Sequence, residues 1–308
     1  MLFENARTYI YRTARPLCLA LWKYHFENGS KEDVLQTLAF YQNEDGGFGH
    51  AIEPDFWNPN STPIGTQRAM VHLESIGGVD KNHPMVQGIL RYLDSGADFD
   101  TVNGQWMNEV PSNNDYPHAV WWGYDGKEKN FSPNPTAPIA GFILAYAEKN
   151  SPVYQKGCEA AKRCHKQMMD EFPNTNMHDV MCYISLYQYC VQAGVTDLFD
   201  MEQYMHSLLT MVNGAICRET DKWGKEYVAL PSHYIDGPDS IFYAGNEELV
   251  KAECDLIKQQ QLADGSFEVT WQWWTDYKEF EVAKVWWKAE IIMEKLLQLK
   301  RFGELILC

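Results

Sequence analysis

Apolar residues recur at helical spacing along most of the chain. Met85, Val86, Ile89, Leu90 and Leu93 form one stripe, Met201, Tyr204, Met205, Leu208 and Val212 a second. Val282, Val285, Trp286, Ala289, Ile292, Met293 and Leu296 form a third and longer one. Such spacing places each set on one face of a helix. The same pattern predicts helices over 69–76, 139–147 and 180–191, the last with Ile184, Tyr187 and Val191 on one face. The stretch 3–26 is also helical in pattern and should break or kink at Pro16, which has no amide hydrogen to donate. The pattern is one of helix pairs, and it predicts an all-α chain.

A short phrase follows several of these stripes. It reads Gln42-Asn43-Glu44-Asp45-Gly46-Gly47-Phe48 early and Gln261-Leu262-Ala263-Asp264-Gly265-Ser266-Phe267 late. Asn103-Gly104-Gln105-Trp106 and Asp221-Lys222-Trp223-Gly224 are weaker copies. Within the phrase, Asp can accept backbone N–H bonds and Gly can take the positive φ that ends a helix. Phe48, Trp106, Trp223 and Phe267 can then fold back between neighbouring helices. The phrase thus reads first as structure. A second helix is expected after each copy, with openings at Ser61–Thr66, Asn134–Ile139, Asn176–Asp179 and Asp236–Asp239, where Pro and small polar residues suit a first turn. Units that recur in this way bury a shared core by stacking on one another.

The phrase resembles the QW-type repeat of squalene cyclases and protein prenyltransferase β subunits. The run Asp45–Thr66, DGGFGHAIEPDFWNPNSTPIGT, also resembles bacterial proteins that carry prenyltransferase and squalene oxidase repeats. The resemblance implies an α/α toroid of about five or six helical hairpins, with inner and outer rings. It implies one domain spanning 1–308 and a small-molecule ligand, apolar or isoprenoid-like. The chain departs from those enzymes in its chemistry. It has no D-x-D-D run, since Glu53-Pro54-Asp55 lacks the paired second aspartate, and it has no D-D-x-x-D run. Cys217, Asp221, His233, Asp236 and Asp239 occupy the region where prenyltransferases hold zinc, without that family's spacing. No metal and no cofactor is predicted, and no complete catalytic signature is present.

Irregular connections rich in Pro, Gly, Asn and Trp run over 51–61, 94–135, 215–239 and 269–278, and they are expected to gather on one rim. The candidate chemistry lies there. His50, Glu53 and Asp55 can form an acid/base group, because close carboxylates push each other's proton affinities apart and a neighbouring imidazole responds to both. The same carboxylates can equally serve as hydrogen-bond acceptors that hold the loop. Trp57, Trp106, Glu109, His118, Trp121, Trp122 and Asp125 are candidate ligand contacts, as are Glu268, Trp271 and Trp273. Aromatic rings beside carboxylates suit a carbocation, an isoprenoid tail or a sugar. Two further readings stay open. One is a carbohydrate-active hydrolase or lyase, an inverting hydrolase needing carboxylates roughly 6.5–9.5 Å apart. The other is a non-catalytic scaffold that binds a protein or peptide.

Composition narrows the partners. The 308 residues carry 26 basic and 42 acidic side chains, a net charge of −16, with no basic stripe. Nucleic acid is excluded on that ground, because its binding rests on phosphate neutralisation. No run reaches membrane-spanning length and the first residues do not read as a signal peptide. Eight cysteines lack C-x-x-C pairing, which suggests reduced thiols and a cytoplasmic chain.

Overall fold

The computed structural model describes residues 1–127 and 129–305. Among them are eleven α-helices: α1 (Leu2–Thr13), α2 (Pro16–Phe26), α3 (Lys31–Leu38), α4 (Pro63–Ser75), α5 (Pro84–Ser95), α6 (Pro133–Tyr146), α7 (Pro152–Asp170), α8 (Met177–Ala193), α9 (Met201–Ala215), α10 (Glu247–Gln260) and α11 (Phe280–Arg301). The described strands are β1 (Phe99–Asp100) and β2 (Gln105–Trp106), which pair antiparallel. The chain is all-α, and no described helix is long and apolar enough to cross a membrane. It divides into two compact units, one of Ala39–Ala215 and one of Met1–Leu38 with the described part of Ile216–Cys308. The seven described cysteines are free thiols, and Cys308 lies outside the described residues.

Two kinds of helix alternate. In the unit of Ala39–Ala215, α5 and α7 bury one stripe each: Met85, Val86, Ile89, Leu90 and Leu93 in the first, Val153, Gly157, Ala160, Ala161, Cys164 and Met168 in the second. By contrast, every residue of α6 from Pro135 to Leu144 is buried. A helix apolar on all sides belongs to the interior, and one with a single apolar stripe lies over it. Accordingly α6 packs against α4, α7 and α8. In the other unit α1, α3 and α10 are one-faced, while α2 buries a wider arc of Leu17, Cys18, Ala20, Leu21 and Trp22 and leaves Pro16 and Lys23 exposed. The break at Pro16 falls where the sequence puts it, between α1 and α2.

The two full phrases make the same bonds. The Gln42 amide donates to the carbonyls of Gly46 at 2.9 Å and of Met85, in the first turn of α5, at 3.1 Å. The Gln261 amide donates to the carbonyls of Gly265 at 3.1 Å and of Leu2, in the first turn of α1, at 2.8 Å. Asp45 Oδ1 accepts from Gly47 N and Asp264 Oδ1 from Ser266 N, both at 2.9 Å. Gly46 and Gly265 take φ of 97° and 92°. Each lies flat on its neighbour helix: a Cβ on Gly46 would stand 2.0 Å from the Gly88 carbonyl oxygen, and one on Gly265 2.2 Å from that of Asn5. Gly88 and Asn5 lie three residues beyond Met85 and Leu2, so the docking is the same in both places. Phe48, Trp106, Trp223 and Phe267 are all buried. The Asp and aromatic positions of the phrase thus serve structure, as their residue types imply.

The fourth expected helix opening does not form a helix. After a 3-10 turn at Pro231–His233 the chain stays irregular until Glu247, because Gly237, Pro238 and Gly245 interrupt any helical run. Glu253 on α10 holds this segment: its carboxylate accepts from both the amide and the hydroxyl of Ser232. Burial pushes the Glu253 carboxyl up and the Lys295 ammonium down, and each charge offsets part of the other's cost. Lys295 also sits 5.2 Å over the Phe267 ring.

Gly46→Ala and Gly265→Ala are each expected to cost about 2–5 kcal/mol, from overpacking plus left-handed strain. Gly77→Ala, at φ 81° with no atom within 4 Å of a Cβ, should cost about 1 kcal/mol. Urea unfolding measures all three, and equal costs would refute the docking. His25 provides a pH test. Burial, with Lys300 and Arg301 nearby, pushes its folded-state value down to about 4. Above pH ~6.5 the imidazole is neutral in both states, and as pH falls toward 4 the unfolded chain takes the proton first. Stability should therefore fall across that window by about 2 kcal/mol more in the native protein than in His25→Gln.

Candidate functional site

Past Phe48 the chain turns through His50 and Ala51, both in the left-handed region at φ 55° and 58°. The loop ends at Thr62, whose Oγ1 accepts from Gly65 N at 2.9 Å and caps α4, with Pro63 in the first helical position. Between these points residues 55–57 form a short ladder with 117–119. Trp57 N donates to the Pro117 carbonyl and Ala119 N to the Asp55 carbonyl, each at 2.8 Å. Phe56 is the partner of His118. In such a pair the two side chains share a face, and their neighbours point the other way. His118 thus lies on the Phe56 face, where Trp122 meets Phe56 edge-on at 5.4 Å, while Asp55 and Trp57 lie on the opposite face.

A second tie runs through Asn58, which is fully buried. Its amide donates to Ser112 Oγ at 2.8 Å and Asn113 Oδ1 at 2.9 Å, and its oxygen accepts from Asn60 N at 2.9 Å. Asn113 in turn donates to the Trp122 carbonyl at 3.0 Å. The loops that follow Phe48 and Trp106 are therefore one hydrogen-bonded body. Glu53 and Asp55, 8% and 4% exposed, are buried in it. Arg68 on α4 brings its Nε to 3.9 Å from Glu53 Oε2, so the carboxylate has a counter-charge inside the protein.

The two imidazoles are held differently. His118 Nδ1 lies 2.7 Å from the Tyr116 carbonyl, which can only accept, so the neutral ring carries its proton on Nδ1 and Nε2 is the basic nitrogen. His50 is exposed and its Nε2 meets Asn43 Oδ1 at 2.9 Å. Asn43 donates to the Pro59 carbonyl and Ser61 Oγ, which fixes its oxygen toward His50 and the His50 proton on Nε2. Proton transfer at a carboxylate paired with Arg68 is the chemistry this arrangement can support. Among the described residues no group of three or more His, Cys, Asp or Glu is arranged to hold a metal.

The remaining candidates fall in several places. Glu109 is half-buried and Trp121 is 38% exposed. Trp106 is a core residue packed on Phe99 at 4.9 Å, its backbone amide donating to Thr136 Oγ1 at 3.1 Å. Asp125 is exposed; the Lys127 amide, then the Lys127 and Lys129 side chains, hold its carboxyl below the usual range. Glu268, Trp271 and Trp273 belong to the other unit. There Glu268 is exposed, Trp273 is buried against Phe280, and Trp271 packs on Tyr227 from the neighbouring irregular segment. Sequence reasoning missed Arg68, Asn58 and Asn113. Arg68 had a signal: it is the sole Lys or Arg from His50 to Val71, on a helix otherwise poor in charge.

Asn58→Ala and Asn113→Ala should each cost about 1–3 kcal/mol, the penalty for stranding buried partners. The double variant should cost clearly less than the sum, by about 0.5–3 kcal/mol, because the residues share one bond. Additive losses in a urea double-mutant cycle would refute the tie. Comparison with protein-family profiles, with curated proteins and with solved structures finds no match to this chain.

Proposed function

We propose that this chain is an α/α toroid akin to the terpene cyclases and protein prenyltransferase β subunits, and that it binds a small molecule with an apolar body at the joined loops 49–62 and 107–122. The alternation of one-faced and fully apolar helices supports the toroid reading, as does the identical docking of the two phrases. The eleven described α-helices, one fewer than twelve, fit a six-hairpin ring in which the segment 216–246 stands in for an inner helix.

The observation that carries the binding reading is the burial of Glu53 and Asp55 beside Arg68 in a loop tied down twice. Burying carboxylates is costly, and sites of that kind cluster where chemistry or recognition needs them. In this reading Glu53, balanced by Arg68, is the proton-transfer group, Asp55 is a second polar contact, and Trp57, on the same face as Asp55, packs the ligand body. A carbohydrate ligand is the second reading, favoured by the exposed amide residues Asn60 and Asn114 in the same loops.

Protein purified from its own host is compared by native mass spectrometry with a Glu53→Gln, Asp55→Asn variant whose circular dichroism is unchanged. The wild type should release a small molecule whose identity separates isoprenoid from sugar, and the variant should retain at least tenfold less. Equal retention would remove both carboxylates from the site.

A further inference from the structure

A second surface lies in the unit that carries the chain ends. Tyr227 meets Trp271 at 6.3 Å and 72°, and Trp271 meets Trp287 of α11 at 5.1 Å and 82°. The Tyr227 segment is closed at its base by the bond from Cys217 N to the Ala229 carbonyl at 2.9 Å. Three rings from three segments are thereby braced against one another, Trp271 and Trp287 half-buried and Tyr227 58% exposed. Further along the same loop, Trp274 is 73% exposed and Tyr277 37% exposed. Trp274 also sits at φ 56°, in the left-handed region that bulky residues avoid. Hydration of an indole and backbone strain are both unfavourable, and strain of this kind is characteristic of ligand clamps. Glu268 and Asp276, both exposed, interleave with these rings in the sequence.

We infer that Tyr227, Trp271 and Trp274 form a stacking surface for a neutral glycan. The braced rings touch edge to face and fill the space between them, so they form no cage for an organic cation. What they offer a ligand is ring face. The C–H groups on the flat side of a sugar ring carry partial positive charge and complement the negative face of an aromatic ring. Glu268 and Asp276 accept hydrogen bonds from sugar hydroxyls and repel anionic chains. The Tyr227 and Trp271 side chains, with two torsions each and already braced, lose little freedom on binding.

The test is electrophoresis in native gels containing hydroxyethyl cellulose, xylan or soluble starch, followed by titration with the polymer that retards the protein. At least one polymer should retard the wild type, and Trp274→Ala with Tyr227→Ala should raise the apparent Kd at least tenfold. Trp274→Gly, which removes the ring and relieves the backbone, is the second variant should the double one lose helical structure. It should lose retention while keeping or raising Tm. Glu53→Gln, Asp55→Asn should retain full retardation, so that failure of the loop-site reading leaves this one standing. No retardation by any polymer would overturn the inference, as would equal retardation of the aromatic variants. Salt-sensitive binding to poly-L-lysine in the absence of polysaccharide retention would overturn it in favour of a cationic partner.

Discussion

The structure depends on a small contact made twice: a glutamine amide and a bare glycine α-carbon set on the first turn of a helix. The amide of Gln42 or Gln261 reaches a carbonyl in that turn, and Gly46 or Gly265 lies against a backbone where no Cβ fits. The positive φ of the glycine is what aims the following aromatic inward. One copy fastens the turn at Gln42–Phe48 to α5; the other fastens the turn at Gln261–Phe267 to α1. An unbranched contact of this kind sets spacing and register together, which a hydrophobic stripe by itself does not, because apolar contact is non-directional.

Given that frame, the loops after each phrase are free to differ. Loop 49–62 is short, buried and cross-linked, and it carries two carboxylates inward. The loop from 268 to 279 is open and carries Trp274 and Tyr277 outward. Both leave a phrase with the same internal geometry. The difference comes from what each loop pairs with: a ladder at 117–119 and an amide relay through Asn58 in one case, a chain of ring contacts in the other. A repeated scaffold with variable connections is how one fold supports unrelated ligands.

Charge inside this acidic protein is neutralised locally. Glu53 faces Arg68, Glu290 bonds Arg15 at 2.6 Å, and Glu253 is shared between Ser232 and the field of Lys295. Removing one partner of such a pair is far more damaging than the pair is stabilising, because the survivor is left in low dielectric. The three pairs differ in use. Glu253 and Glu290 fasten irregular chain and helices, whereas Glu53 lies in the loop body that carries the candidate ligand contacts.

The sequence by itself determined most of the helices, though not α3, α7 or α10, and with them the break at Pro16 and the structural role of the phrase, because each rests on local rules of period, capping and backbone freedom. It pointed to Glu53 and Asp55 through their nearness in the chain. It misplaced the helix opening at Asp236–Asp239, where Gly and Pro outweigh a cap-like start. Asp125 and Trp106 were legible as residue types but not as environments: one ended among lysines in water, the other in the core. Only the tertiary structure could bring Arg68 to Glu53, set His118 on the face opposite Asp55, and lock Asn58 to Asn113, 55 residues away. Those pairings depend on which loops meet, and loop meeting is set by long-range packing that no periodic pattern encodes.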